Sequence, residues 1–476
     1  MRGPVQFPPI DSMTRIRRPR RAYVETYGCQ MNISDGELME GILAGSGYEI
    51  VAATEDADVV LVNTCAIREH AEQRVLGRVG QLGALKRQRP DMLLGVTGCM
   101  AQRLGESLLR RSGHVDLVMG PDGYRGLPAA LDRLGAAATS KTPQVPVVPR
   151  RRSPGLAILD LSLGENYEGL EPRRKEGASA WVTVQRGCDH RCTFCIVPYV
   201  RGPEKNREAH EILDEVRTLA DGGVSEVTLL GQTVNSYRWD EWRFPKLVRE
   251  VARVDGIRRV RFTSPHPNDV DEELVEVMAT EPAVCEQLHL PLQSGSNRVL
   301  RRMLRRYSVE TFIEKVDLVR SSVPDVALST DIIVGFPGET DEDFHATLEV
   351  MRAVRFDDAF TYRYSPREGT PATRLPDADR VPDPVASARL DALIGVHRAI
   401  QTEIAESEVG RVEEVLVEKE ARSPGDMLGR TRRNKVVAFP GSKELTGRYS
   451  VVRLEGTTGA TFTGTLVEEP AAVEVS

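Results

Sequence analysis

The sequence predicts an α/β chain of three folded parts: an N-terminal parallel-sheet domain, a central open partial (βα)6 barrel, and a small C-terminal antiparallel β-barrel. Three observations lead there. Across residues 22–135, apolar runs alternate with charged helical segments, as in a parallel sheet covered on both faces. A second βα series runs from Ala180 to Tyr364, with fewer strands than the eight of a closed barrel. From Val409 onward, β-branched residues alternate with charged ones between turn residues, the pattern of a small barrel.

Residues 1–21 form a basic extension with Arg15, Arg17, Arg18, Arg20 and Arg21. No apolar stretch follows it, so it does not read as a secretory signal. In the first domain (22–135), Tyr23–Tyr27 is a strand and Asp35–Ala44 a helix capped by Ser34. Asp58–Asn63 is the second strand, Arg68–Arg87 a charged helix, Leu93–Thr97 the third strand and Val115–Met119 the fourth. Residues 136–175, with Pro143, Pro146, Pro149, Pro154 and Arg150–Arg152, read as an extended linker. The central part (176–407) has strands at Trp181–Gln185, Glu226–Leu230, Arg259–Phe262, Gln287–Leu290, Ala327–Val334 and Ala359–Tyr364. A helix from Pro384 to Ser407 leads into the last part (408–471), with strands at Val412–Val417, Tyr449–Leu454 and Thr461–Val467.

With 476 residues, 40% hydrophobic and 28% charged, the composition is that of an ordinary globular protein. No apolar run approaches the ~20 residues of a membrane helix. Seven cysteines are an odd number, which argues against a closed disulfide framework and for a reducing, cytoplasmic setting. A net charge of −7 does not advertise nucleic-acid binding. A local basic patch can still bind phosphate, and Arg301–Arg306 and Gly429–Lys435 are the candidates, each equally readable as a solvated face.

The chemistry lies in the cysteines. Cys188, Cys192 and Cys195 have CxxxCxxC spacing. Thiolate is the usual ligand of iron–sulfur clusters, and three cysteines leave one iron of a four-iron cubane open to a small molecule. The alternative is a zinc knuckle or buried thiols. Zinc sites want a fourth Cys or His at short spacing, and beyond His190 the next histidine is the distant His210. Cys29, Cys65 and Cys99 each fall just after a strand of the parallel sheet. Loops at that edge converge on one site, so a second cluster with a free iron is expected there rather than three buried thiols. Cys285 has no partner left and reads as packing.

Two such triads flanking a linker resemble the radical S-adenosylmethionine (SAM) methylthiotransferases, over residues 22–466. The resemblance rests on Thr26–Asn32, Asn63–Arg68, Gly187–Gly202, Leu229–Tyr237, His289–Ser296 and Asp331–Thr340. Val197-Pro198-Tyr199, Gly231-Gln232-Thr233-Val234-Asn235 and Gly429–Val437 resemble the branch acting on isopentenyladenosine in tRNA. Asn206 departs from that branch, which has Ser before the arginine equivalent to Arg207.

The resemblance implies replacement of the hydrogen on adenine carbon 2 by a methylthio group, at position 37 beside the anticodon. It implies two 4Fe-4S clusters, one on each triad, and two SAM per product. The cluster on Cys188, Cys192 and Cys195 would generate a deoxyadenosyl radical, and the one on Cys29, Cys65 and Cys99 would hold the sulfur. No side chain is expected to act as a general acid or base, because that C–H bond is inert to such chemistry. Phe194, Gln232, Ser329, Thr330 and Asp331 are the candidate SAM contacts. Arg430, Arg432, Arg433 and Asn434, in a C-terminal module of the TRAM type, are the candidate RNA contacts. The tRNA anticodon stem-loop, an electron donor such as flavodoxin or ferredoxin, and a monomeric state are the expected partners and form. Threonylcarbamoyladenosine or a ribosomal-protein aspartate is the alternative substrate, and a non-catalytic iron–sulfur carrier the alternative class.

Overall fold

The apolar run Val59–Thr64 is buried at every position, the mark of a central parallel strand. The computed structural model describes residues 18–66, 69–139, 155–162, 164–174 and 177–468, so Arg15, Arg17 and the prolines at 143, 146, 149 and 154 lie outside the described residues. In the first domain, strands β1 (Arg21–Tyr27), β2 (Glu49–Ile50), β3 (Val59–Thr64), β4 (Leu93–Gly98), β5 (Leu117–Met119) and β6 (Leu156–Ile158) form one parallel sheet in the order β2-β1-β3-β4-β5-β6. The order reverses between β1 and β3, and a crevice opens at the carboxyl ends of strands at such a switch point.

Two features of this part of the chain differ from the sequence reading. The first helix runs Gln30–Gly45 and starts directly after Cys29, so Ser34 is not its cap. Ser34 is instead buried, with its hydroxyl 3.0 Å from Thr183 Oγ1 of the central domain. Part of the proline-rich linker is also folded: Leu156–Ile158 pairs with β5 as the sixth strand. Tyr167 then packs on Tyr124 with ring centroids 6.0 Å apart. Apolar residues after a proline-rich stretch found an open sheet edge, which spacing alone could not reveal.

The central domain carries β7 (Ser179–Thr183), β8 (Glu226–Leu230), β9 (Arg259–Phe262), β10 (Gln287–His289), β11 (Ala327–Val334) and β12 (Asp358–Arg363). They form two three-stranded parallel sheets, joined by the bridge Val260–Val284 into one open series. Its core holds Val227, Leu229, Val260, Leu288, Leu328 and Ile332 under the surrounding helices. Helix Asp383–Glu408 leads to the C-terminal strands β13 (Val412–Glu420), β14 (Asp426–Thr431), β15 (Val436–Pro440), β16 (Tyr449–Thr457) and β17 (Thr461–Glu468). These close as β13-β14-β15-β17-β16, and the β15–β17 pair is parallel, so the barrel is not wholly antiparallel as expected. Among the described residues, no helix is long and apolar enough to cross a membrane.

The arginine-rich turn has a different role from the expected one. Arg259 and Arg261 sit two apart on β9, so both side chains leave the same face. Arg259 donates to the Arg430 carbonyl at 2.9 Å and the Glu414 carbonyl at 2.7 Å. Arg261 donates to the carbonyls of Arg432 and Thr431, both at 2.8 Å. Arg432 in return pairs with Glu286 at 2.9 Å, and Arg433 pairs with Glu408 and Glu413 at 2.7 Å each. Arg432 and Arg433, expected as phosphate contacts, are thus both paired with carboxylates and help to hold the C-terminal barrel in place. Arg433 and Glu408 are 8% and 4% exposed, and breaking a pair buried that deeply leaves an uncompensated charge. Arg433→Ala should therefore cost about 3–5 kcal/mol, read as an earlier urea transition of the C-terminal barrel.

Candidate metal centres between the two α/β domains

The first triad is assembled by the sheet. Cys29 follows β1 and caps the Gln30–Gly45 helix, Cys65 follows β3, and Cys99 starts the helix Cys99–Leu104 after β4. Two glycines make the close approach possible. A Cβ on Gly28 would lie 2.6 Å from the Cβ of Cys65. Gly98 has φ +91°, and a Cβ there would meet the Thr64 carbonyl at 2.5 Å. Hydrogen bonding with the Cys65 thiol, helped by the nearby Arg201 charge and opposed by burial, lowers the Cys29 thiol to about 6. Burial pushes Cys99 up, while Arg201 pulls it the other way.

The second triad sits on the loop after β7. The loop closes on itself, since the Cys188 amide donates to the Gly202 carbonyl at 3.2 Å. Thr193 ties it to the next layer, its amide donating to Met303 O at 3.0 Å and its hydroxyl to Arg302 O at 3.0 Å. Cys188 Sγ lies 3.2 Å from Thr233 Oγ1, and Arg305 Nη1 donates to Cys192 Sγ at 3.4 Å. Burial raises Cys195 to about 12. Within the basic stretch Arg301–Arg306, Arg305 is buried and aimed at a sulfur rather than at solvent. Arg302 pairs with Asp379 at 2.5 Å, which leaves Arg301 and Arg306 exposed.

These donor sets fit iron–sulfur clusters. Among the described residues, the ligand atoms lying within 4.8 Å of one another belong to His190, His266 and Asp269, not to either triad, so neither triad has single-ion spacing. Zinc held by thiolates at about 2.3 Å would need its sulfurs closer. Each triad also has one buried guanidinium on a sulfur, which offsets thiolate charge. Beside the first triad, Arg201 Nη1 and the Tyr124 hydroxyl are buried without a partner, and cluster sulfides accept such hydrogen bonds.

The expected SAM residues separate into two groups. Ser329 and Asp331 lie on one face of β11 and meet His289 of β10: Nδ1 is 3.0 Å from Ser329 Oγ and Nε2 3.4 Å from Asp331 Oδ2. Gln232 Oε1 is buried without a partner, and Phe194 packs edge-on against Phe336 at 6.5 Å. Thr330 lies on the opposite face of β11. Side chains alternate along a strand, so it faces away from its neighbours, with its hydroxyl donating to Leu290 O at 2.8 Å and accepting from the Leu292 amide at 3.0 Å. Sequence reasoning missed His289 and Gln293. Gln293 has φ +72° and an unpartnered buried Oε1, a strained polar position of the kind found at binding sites. Both stand in the quoted stretch His289–Ser296, which was the available signal.

Comparison with known proteins agrees with this layout. The model of the radical SAM superfamily matches residues 182–351, that of uncharacterized protein family UPF0004 residues 21–120, and that of the TRAM domain residues 406–467. The chain is similar to proteins named tRNA-2-methylthio-N(6)-dimethylallyladenosine synthase. That of Chloroherpeton thalassium is 45% identical, covering 93% of this chain and 95% of the relative. That of Carboxydothermus hydrogenoformans is 42% identical, covering 91% and 96%; that of Porphyromonas gingivalis is 41% identical, covering 96% and 97%. In fold alone, it is similar to the radical SAM methyltransferase TsrM from Kitasatospora setae with cobalamin and a 4Fe-4S cluster bound. That match has TM-score 0.54 and 17% identity, covering 80% of this chain and 90% of the other.

The glycine cradle gives a direct test. Gly98→Ala should displace Asn63 or Thr64, disturb the first triad and lower the iron bound. Gly45→Ala, where a Cβ meets nothing within 4 Å, should leave iron unchanged. Iron assay after anaerobic reconstitution reads both.

Proposed function

The chain belongs to the family of tRNA-2-methylthio-N(6)-dimethylallyladenosine synthases, radical SAM enzymes, and from that premise we propose that it attaches a methylthio group to carbon 2 of N6-dimethylallyladenosine at position 37 of tRNA. The observation that carries the reading is the pair of cysteine triads facing one domain boundary, one at the switch point of the first sheet and one after β7. Cys188, Cys192 and Cys195 would hold the cluster that binds SAM; Cys29, Cys65 and Cys99 would hold the auxiliary one. When bound, the first supplies the electron for SAM cleavage and the second a site for the sulfur being transferred. Two SAM are used per product.

The chain's own residues do the rest. Arg305 and Thr233 hydrogen-bond to sulfurs of the second triad; the Thr233 bond favours the Cys188 thiolate and the Arg305 charge that of Cys195, against the burial that raises both. Asp331 and Ser329, oriented by His289, offer polar contacts to SAM or base, with Gln232 and Gln293 as free acceptors. Phe194 offers an aromatic face for the SAM adenine. For RNA, Asn434 is exposed and Arg430 partly so at the tip of the β14–β15 turn, joined by Arg301 and Arg306 on the central domain. A single-stranded loop presents its base to such a surface splayed out of the stack. A flavodoxin- or ferredoxin-like donor would supply electrons to a monomeric enzyme.

Three measurements check this. Replacing Cys188, Cys192 and Cys195 with Ala should leave about four irons and abolish deoxyadenosine formation. Replacing Cys29, Cys65 and Cys99 should leave about four irons with deoxyadenosine still formed and no methylthio product by mass spectrometry. A first-triad variant that keeps all its iron would refute the auxiliary site. Arg430→Ala should flatten the slope of log affinity for tRNA against log salt by up to ~0.9; an unchanged slope would place the phosphate contacts elsewhere.

A further inference from the structure

Arg201 ends the short helix Val197–Arg201 that follows the second triad, yet its side chain reaches the first one. Its Nε donates to Cys99 Sγ at 3.1 Å and its Nη2 to Asp35 Oδ2 at 2.6 Å. Arg201 and Asp35 are each 2% exposed and Cys99 is 5% exposed, so this is a desolvated triplet spanning two domains. The remaining nitrogen, Nη1, is buried with no partner. The helix is fixed at both ends: Cys195 lies two residues before it, and Gly202 after it accepts from the Cys188 amide. Ile196 and Val200 pack with Ala66 and Cys99 in one apolar cluster. A helix of this length spans roughly 7 Å at 1.5 Å per residue, so the arginine has little freedom to sit elsewhere.

The charges around the first triad make this arrangement informative. Asp35 adds a negative charge to three sulfurs, and a buried anion is costly unless paired. Within hydrogen-bond reach of Cys99, the cation offsetting it comes from the other domain. Hydrogen bonds and positive charge at the sulfurs raise a cluster's reduction potential. We infer that Arg201 is a positioning residue of the auxiliary site, supplied by the radical SAM domain: it holds Cys99 and sets the potential of the cluster on Cys29, Cys65 and Cys99. The first site is thus completed only when the second domain is docked on it. This inference rests on the two-cluster reading above.

The test is an EPR-monitored redox titration in protein lacking Cys188, Cys192 and Cys195, so that only the auxiliary signal remains. Arg201→Gln should shift its midpoint to more negative potential, and Arg201→Lys, which keeps the charge, should recover most of the shift. Arg186→Gln is the control. Arg186 pairs with Asp122 at 2.9 Å across the same boundary without touching a sulfur, so its loss should leave the midpoint in place. If Arg201→Gln fails to retain iron, the inference requires Lys and the Arg186 control to retain it. A midpoint unmoved by Arg201→Gln, or moved equally by Arg186→Gln, overturns the inference. Iron loss shared by all three variants overturns it as well. No iron signal in the parent would overturn the two-cluster reading and this inference with it.

Discussion

Buried charge cannot stay unpaired, and that constraint joins the three parts of this molecule. At the boundary of the two α/β domains, Asp122 is fully buried and takes Arg186 at 2.9 Å and Lys205 at 2.5 Å. Asp35 takes Arg201 at 2.6 Å. At the C-terminal barrel, Glu226 and Glu414 take Arg261 and Arg259, while Glu408 takes Arg433. Asp122, Asp35 and Glu414 each meet a cation of another domain, while Glu226 holds Arg261 from within the central domain and Glu408 holds Arg433 at the end of the helix that leads into the barrel. Such pairs gain less than hydrophobic burial would, but leaving either partner alone is costly. Separating the domains therefore exposes a set of mismatched charges at once, which favours one docked arrangement.

Each cysteine triad is built within its own domain, and docking brings the two together. The first triad is set by the sheet, where strand ends converge at the switch point and two glycines let cysteines approach. The second is set by a loop closed between Cys188 and Gly202 and pinned by Thr193. The apolar cluster of Ala66, Cys99, Ile196 and Val200 places the two side by side. His289, Ser329 and Asp331 lie on neighbouring strands of the open barrel, so the polar contacts are held by rigid elements rather than by loops.

The C-terminal barrel shows why a basic motif is not a basic surface. Read as a string, Gly429–Lys435 holds four cations in seven residues. In the fold, the carbonyls of the turn accept from Arg259 and Arg261, Lys435 pairs with Asp357 at 2.6 Å, and Arg432 and Arg433 pair with glutamates. Arg430 is the partly exposed remainder, and it too contacts Glu418 at 2.9 Å.

The sequence by itself determined the elements and singled out the two cysteine triads. Strands such as Val59–Thr64, Glu226–Leu230 and Ala327–Val334 stand where their β-branched and apolar runs placed them, because such side chains fit a pleated surface buried under helices. The cysteines were legible because the triplet has a fixed spacing and the other three share one position after a strand. Tertiary structure decided what depends on partners far away in the chain. Leu156–Ile158 became a strand only because β5 offered an edge, and Ser34 lost its capping role because the helix began at Cys29. Arg305 turned inward and Arg432 and Arg433 turned to glutamates, since a charged side chain's direction is set by the nearest opposite charge. Arg201 meets Cys99 across 102 positions, a separation that periodicity within either domain cannot see.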